Sequence, residues 1–93
     1  MRIMALDYGD ARTGVAISDE RGILCGETLV IAEWNEERLV NRIAALAADK
    51  GCALVLLGLP LNMDGTEGER AAKSRKLAKT VELWSGLPVR MWD

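Results

Sequence analysis

Asp7 stands where an apolar stretch, Arg2-Ile3-Met4-Ala5-Leu6, gives way to a glycine-containing turn. That turn, Asp7-Tyr8-Gly9-Asp10-Ala11-Arg12-Thr13-Gly14, runs directly into a second stretch, Val15-Ala16-Ile17-Ser18-Asp19. A carboxylate at the end of a buried strand needs a partner or a metal ion. Glycines beside it let the backbone approach a phosphate or another ligand closely. The pattern points to metal or phosphate chemistry on a strand-turn-strand element. A second reading is purely local, with Asp7 forming an Asx turn ahead of Gly9.

Other side chains carry paired readings of the same kind. Arg12 can grip a phosphate bidentately, or it can pair with Asp10 or Asp19. Asp10 and Asp19 lie in turns, and turn chemistry accounts for both. Asn62, Asp64 and Gly65 precede a helix start, whose unpartnered amides favour anions. The alternative for them is an ordinary Asn/Asp/Gly loop. Arg75, Lys76 and Lys79 lie on the polar side of that helix with Lys73 flanking, either as solvated surface or as contacts to a phosphate backbone. Trp34, Trp84 and Trp92 fit packing roles better than base stacking.

Composition narrows the chemistry. The 93 residues include no histidine, which excludes Ser-His-Asp and Cys-His catalysis and any imidazole-bound metal. A metal site must then be built from oxygen ligands, which favours magnesium or manganese. Cys25 and Cys52 are far apart without CxxC spacing and read as two reduced, buried thiols. The sequence opens on no charged-then-apolar leader and holds no membrane-length apolar run, so a cytoplasmic location with no membrane partner is expected. The formal net charge of −2 argues against indiscriminate nucleic-acid binding. Charge is uneven, however. Between Glu67 and Lys79 five basic residues (Arg70, Lys73, Arg75, Lys76 and Lys79) face two acidic ones. One basic helix on an acidic protein can still meet a polyanion.

The elements that must position these residues follow from pattern. Asp19-Glu20-Arg21-Gly22 reads as a tight turn into a third strand, Ile23 to Ile31. Asn35 is an N-cap, with Glu36 and Glu37 in the first turn and Trp34 placed to pack on Leu39 as a hydrophobic staple. Leu39, Ile43, Leu46 and Ala47 form one helical face, and Gly51 ends the helix. Cys52 to Leu57 is continuously apolar, as in a strand covered on both faces. Thr66 and Glu69 form a capping box for a second helix that stops at Gly86. Ala71, Ser74, Leu77, Ala78, Val81 and Trp84 make its apolar side. Pro88 precedes a last strand, Val89 to Trp92. The order βββαβαβ, with right-handed crossovers, predicts an α/β fold with a mixed five-stranded sheet in order 3-2-1-4-5. Ligands then gather at the carboxyl ends of strands one, four and five, where Asp7, the Asn62–Gly65 loop and Asp93 are expected to converge.

Three segments together carry a resemblance. Asp7-x-Gly9-x-x-Arg12-x-Gly14-Val15-Ala16-Ile17-Ser18-Asp19, then Gly58-Leu59-Pro60-Leu61-Asn62-Met63-Asp64-Gly65-Thr66, then Gly86-Leu87-Pro88-Val89 leading to Trp92-Asp93, are similar to the YqgF (RuvX) family. The match spans the chain in order. It implies an RNase H-like fold and one domain over residues 1–93. It also implies a kinship with Holliday-junction resolvases and a nuclease activity described as trimming precursor 16S ribosomal RNA. In that chemistry, clustered carboxylates hold two divalent ions about 3.5–4 Å apart, which activate water and stabilise the leaving oxygen. Asp7 is then the central metal ligand. Asp93 is either a second catalytic ligand or a frayed terminus. Gly9, Arg12, Asn62, Asp64, Gly65, Lys73 and Lys76 become the substrate-binding set. The family usually continues past Asp93 with Glu-Arg, another helix and a further acidic residue. This sequence stops at the first residue of that motif.

Three function classes compete on these grounds. The leading one is a magnesium- or manganese-dependent endonuclease on structured RNA, with precursor rRNA as the substrate and branched DNA as the alternative. Sugar-kinase and actin-like ATPases also open on Asp-x-Gly, but they need a second domain for which 93 residues leave no room. The third is an RNase H-like module that binds nucleic acid without cutting it. Without the family's last helix, one sheet face lacks its cover, so self-association as a homodimer is expected.

Overall fold

The computed structural model describes residues 1–23 and 26–92. Five strands and two helices follow in the order β1 (Arg2–Asp7), β2 (Arg12–Ile17), β3 (Glu27–Ala32), α1 (Glu36–Asp49), β4 (Cys52–Gly58), α2 (Glu69–Ser85) and β5 (Val89–Trp92). They build one mixed sheet in the order β3-β2-β1-β4-β5, as expected from the pattern. β1 pairs antiparallel with β2, with Asp7 opposite Gly14, and parallel with β4. β1 is therefore central. Its carboxyl end lies between the turn to β2 and the loop after β4.

Both helices share one core, on one face of the sheet. Met4, Leu6, Val15, Ile17, Ile31, Val55 and Leu57 point into it from the strands. Leu39, Val40, Ile43 and Ala47 of α1, with Ala71, Leu77 and Val81 of α2, close it from above. Small residues on α2 (Ala71, Ser74 and Ala78, all buried) let this helix lie close to its neighbours. No described helix is long and apolar enough to cross a membrane.

Several expectations need correction. β3 begins at Glu27, not Ile23. The Asp19 carboxylate accepts bonds from the amides of Arg21 and Ile23, so Ile23 is used in the turn rather than in the ladder. β4 is not covered on both faces. Cys52, Val55 and Leu57 are buried, while Ala53 is exposed and Leu54 and Leu56 are half-buried. The cause is that both helices lie on the same side. The hydrophobic staple is absent: Asn35 does cap α1 through the Arg38 amide at 2.9 Å, but Trp34 is 80% exposed. The capping box is absent as well. The N-cap of α2 is Gly68, and the Thr66 hydroxyl instead donates to Asp64 at 2.6 Å. Trp84 leaves the apolar side of α2 and stands exposed. Gly51 and Gly86 do end their helices, both at positive φ. Cys52 is a buried free thiol whose pKa burial raises. Cys25 lies outside the described residues.

Candidate functional site

Asp7 is the last residue of β1, and its side chain is exposed rather than buried. It faces the side of the sheet that no described helix covers. There a trough of about 840 Å³ runs across the strands, lined by Asp7 together with Ala5, Ala16, Val30 and Trp92. Two glycines open its floor beside the carboxylate. Gly14 is the cross-strand partner of Asp7, and Gly58 ends β4 on the other flank. Absence of side chains at both places leaves room for a ligand against Asp7.

The turn after Asp7 is held from a distance. Arg70, in the first turn of α2, donates to the Asp10 carboxylate at 2.6 Å and to the Tyr8 carbonyl at 2.7 Å. Its guanidinium also lies 4.8 Å from the centre of the Tyr8 ring, a cation–π distance. Lys73 approaches the same Asp10 carboxylate at 3.7 Å. The Arg70 hydrogen bond, with the charges of Arg70 and Lys73, holds the Asp10 carboxyl below its ordinary pKa. Burial, with Glu36 nearby, raises that of the Tyr8 phenol. Gly9 is demanded by the turn itself, because a Cβ there would overlap the Arg12 carbonyl oxygen.

Arg70, which holds this turn, is the residue that sequence reasoning missed. Its only available signal was its place in the basic run, since its partners lie about sixty residues away in sequence. The pairing also reduces the charge excess of α2. Arg75 is likewise engaged, in a bidentate pair with Glu67 at 2.7 Å for both bonds. Lys76 and Lys79 make no ion pair among the described residues. Neither does Arg12, exposed at the start of β2, so of its two readings the pairing with Asp10 or Asp19 is not formed.

The Asn62–Gly65 loop does not line the trough. It folds on itself instead. The Asn62 amide donates to the Thr66 hydroxyl, the Asp64 carboxylate accepts from the Thr66 amide and hydroxyl, and Gly65 turns at φ +84. These bonds lower the Asp64 pKa. An isolated bridge between Leu61 and Glu67 then separates this loop from the start of α2. Asp93 lies outside the described residues. Among the described residues no three acidic, cysteine or histidine side chains gather as a metal site. Asp7 alone does not make a two-ion centre.

The sequence model of the RuvX family, described as "Holliday junction resolvase", matches residues 1–93. The chain belongs to the RuvX family. Among its curated relatives, a "Putative pre-16S rRNA nuclease" of Myxococcus xanthus is 40% identical over the whole chain, which covers 62% of that protein. One of the same name from Halothermothrix orenii is 42% identical, with 66% of its length covered. The chain thus spans about two thirds of the length of these relatives.

Solved structures share this RNase H-like fold. Thermus thermophilus RuvC superposes with a TM-score of 0.72 at 12% identity, over 99% of this chain and 63% of RuvC. A ROK family protein of Streptococcus pneumoniae gives 0.66 at 17% identity, over 98% of this chain and 34% of that one. At such identities the likeness is one of fold alone.

Proposed function

We propose that this RuvX-family chain is the body of a nuclease that cuts structured RNA in the cytoplasm, with precursor 16S rRNA as its substrate. One observation carries the reading: an exposed carboxylate, Asp7, ends the central strand in an open trough and is flanked by two glycines. The names of the relatives support the substrate, and the RuvC-like fold supports phosphodiester chemistry. Dependence on magnesium or manganese belongs to the same proposal. Among the described residues only part of such a site is present, since several carboxylates are needed to neutralise two dications. Asp7 contributes one of them. Gly9 lies in the turn that follows it and Arg12 at the start of β2, whereas Asn62, Asp64 and Gly65 lie outside the trough. Gly9 shapes the turn, Arg12 makes no ion pair among the described residues and can meet a phosphate, and the other three form a separate loop.

The test is cleavage of a precursor 16S transcript with magnesium, using the chain, a version continued past Asp93, and Asp7→Asn in each. The swap keeps the shape and removes the charge. Loss of cleavage by about 100-fold or more is expected, since weaker perturbations around a metal already cost about 10–100-fold. Equal rates with and without the Asp7 charge overturn the proposal. A four-way DNA junction in parallel decides between RNA and branched DNA.

We also propose self-association through the open sheet face, where Val30 and Trp92 remain 61% and 59% exposed. Sedimentation velocity should show a dimer that grows with concentration. A strict monomer at high concentration contradicts it.

A further inference from the structure

Trp34 is the most informative side chain outside the trough. It precedes the N-cap of α1, and both of its neighbours are fixed. The Glu33 amide donates to the Ala11 carbonyl at 3.0 Å, and the Glu33 carboxylate accepts from the Asn35 amide and from Arg38. Asn35 caps the helix. The indole between them is nevertheless 80% exposed. A large aromatic held on a rigid backbone and packed on little is a preorganised contact surface.

Its surroundings indicate the contact. A groove of about 270 Å³ is lined by Trp34, Tyr8, Asp10, Glu36, Lys73 and Lys76. Arg70 and Lys73 both engage Asp10, so Arg70, Lys73 and Lys76 together leave a small positive excess over Asp10 and Glu36. Tyr8 lines both this groove and the trough that holds Asp7. The shared residue makes the groove a neighbour of the trough.

We propose that this groove takes the single-stranded stretch of nucleic acid next to the cleaved phosphodiester, with one unpaired base stacked on Trp34 and adjacent phosphates on Lys73 and Lys76. The inference rests on the nuclease reading and adds its substrate class, a single strand beside the cut. Stacking suits any base, since each has a π-face, and two lysines give only a modest electrostatic contribution. Affinity should therefore depend strongly on the indole and weakly on salt. The logarithm of the binding constant should fall with log salt at a slope of about 1.4 for two phosphate contacts.

The experiment titrates a labelled single-stranded oligonucleotide, as RNA and as DNA, into the intact chain while anisotropy and tryptophan emission are followed. Trp34→Ala should weaken binding by about fivefold or more, the lower end of base–aromatic stacking. Trp34→Phe should retain most of the affinity but lose most of the quenching, whereas Trp84→Phe should keep both. Lys73→Gln with Lys76→Gln should flatten the salt slope. Because Trp34 is exposed, none of its replacements threatens the fold. Unchanged affinity and quenching in Trp34→Ala, or equal binding of a blunt duplex, overturns this inference. If cleavage then persists and still requires Asp7, the nuclease reading stands alone. If neither the chain nor its version continued past Asp93 binds or cuts, both fall.

Discussion

Arg70 reaches Asp10 at 2.6 Å across sixty residues of sequence, and the same guanidinium holds the Tyr8 carbonyl at 2.7 Å. The first turn of α2 is thereby fastened to the turn that follows Asp7. The Asp10 pair is exposed and screened, so the bond to the half-buried Tyr8 carbonyl and the ring contact supply most of the hold. Arg70→Met should release the turn. With about 1 kcal/mol lost for that hydrogen bond, amides from Tyr8 to Arg12 should exchange roughly fivefold faster. NMR-monitored exchange checks this, and the Asp10 carboxyl should titrate closer to its ordinary pKa in the same spectra.

The glycines of the site divide into two kinds. At Gly9 an added Cβ overlaps the Arg12 carbonyl oxygen, a backbone atom that cannot swing aside. At Gly14 it would meet only the Asp7 Cβ, at an ordinary 3.6 Å. Gly9→Ala should therefore destabilise by about 1–3 kcal/mol, while Gly14→Ala should fold normally. Urea unfolding separates the two. Gly14→Leu should keep the fold and reduce cleavage by filling the trough beside Asp7.

Thr13 contributes a buried hydroxyl with no hydrogen-bond partner among the described residues. Its cross-strand partner is Ile31, and a methyl group in place of the hydroxyl leaves nothing unsatisfied. Thr13→Val should stabilise the chain by about 1 kcal/mol, read as a higher urea midpoint at unchanged slope. A fall in the midpoint would mean that the hydroxyl has a partner after all.

Acid should loosen the surface network. Asp10, Asp19, Glu33, Asp64 and Glu67 all have lowered pKa values. The leading causes are hydrogen bonds from Arg70, the Ile23 amide, the Asn35 amide, the Thr66 hydroxyl and Arg75 respectively. A carboxyl whose folded pKa lies below its unfolded value binds fewer protons when folded. Its contribution is present above the unfolded value and is lost as pH falls through the folded one. Thermal midpoints should therefore decline as pH drops below about 4. Added salt should reduce the decline, because these groups are exposed. Glu67→Gln should remove part of the acid dependence by deleting the partner of Arg75.

Sequence determined what depends on local backbone chemistry and on period. Asn35 and Gly51 bound α1, and Gly86 ends α2, because capping and positive φ are properties of one or two residues. The strand order followed from βββαβαβ and the handedness of crossovers, and Asp7 was placed at the carboxyl end of a strand by pattern alone. What the sequence could not determine was which side of each element would find a partner. A continuous apolar run such as Cys52 to Leu57 reads the same whether one face is covered or two, and only the placement of both helices on one side leaves the trough beside Asp7 open. The exposure of Trp34, Trp84 and Trp92, and the meeting of Arg70 with Asp10 and Tyr8, were decided at the same level. Period and capping act within a few residues, whereas burial and ion pairing depend on distances set only when remote segments pack together.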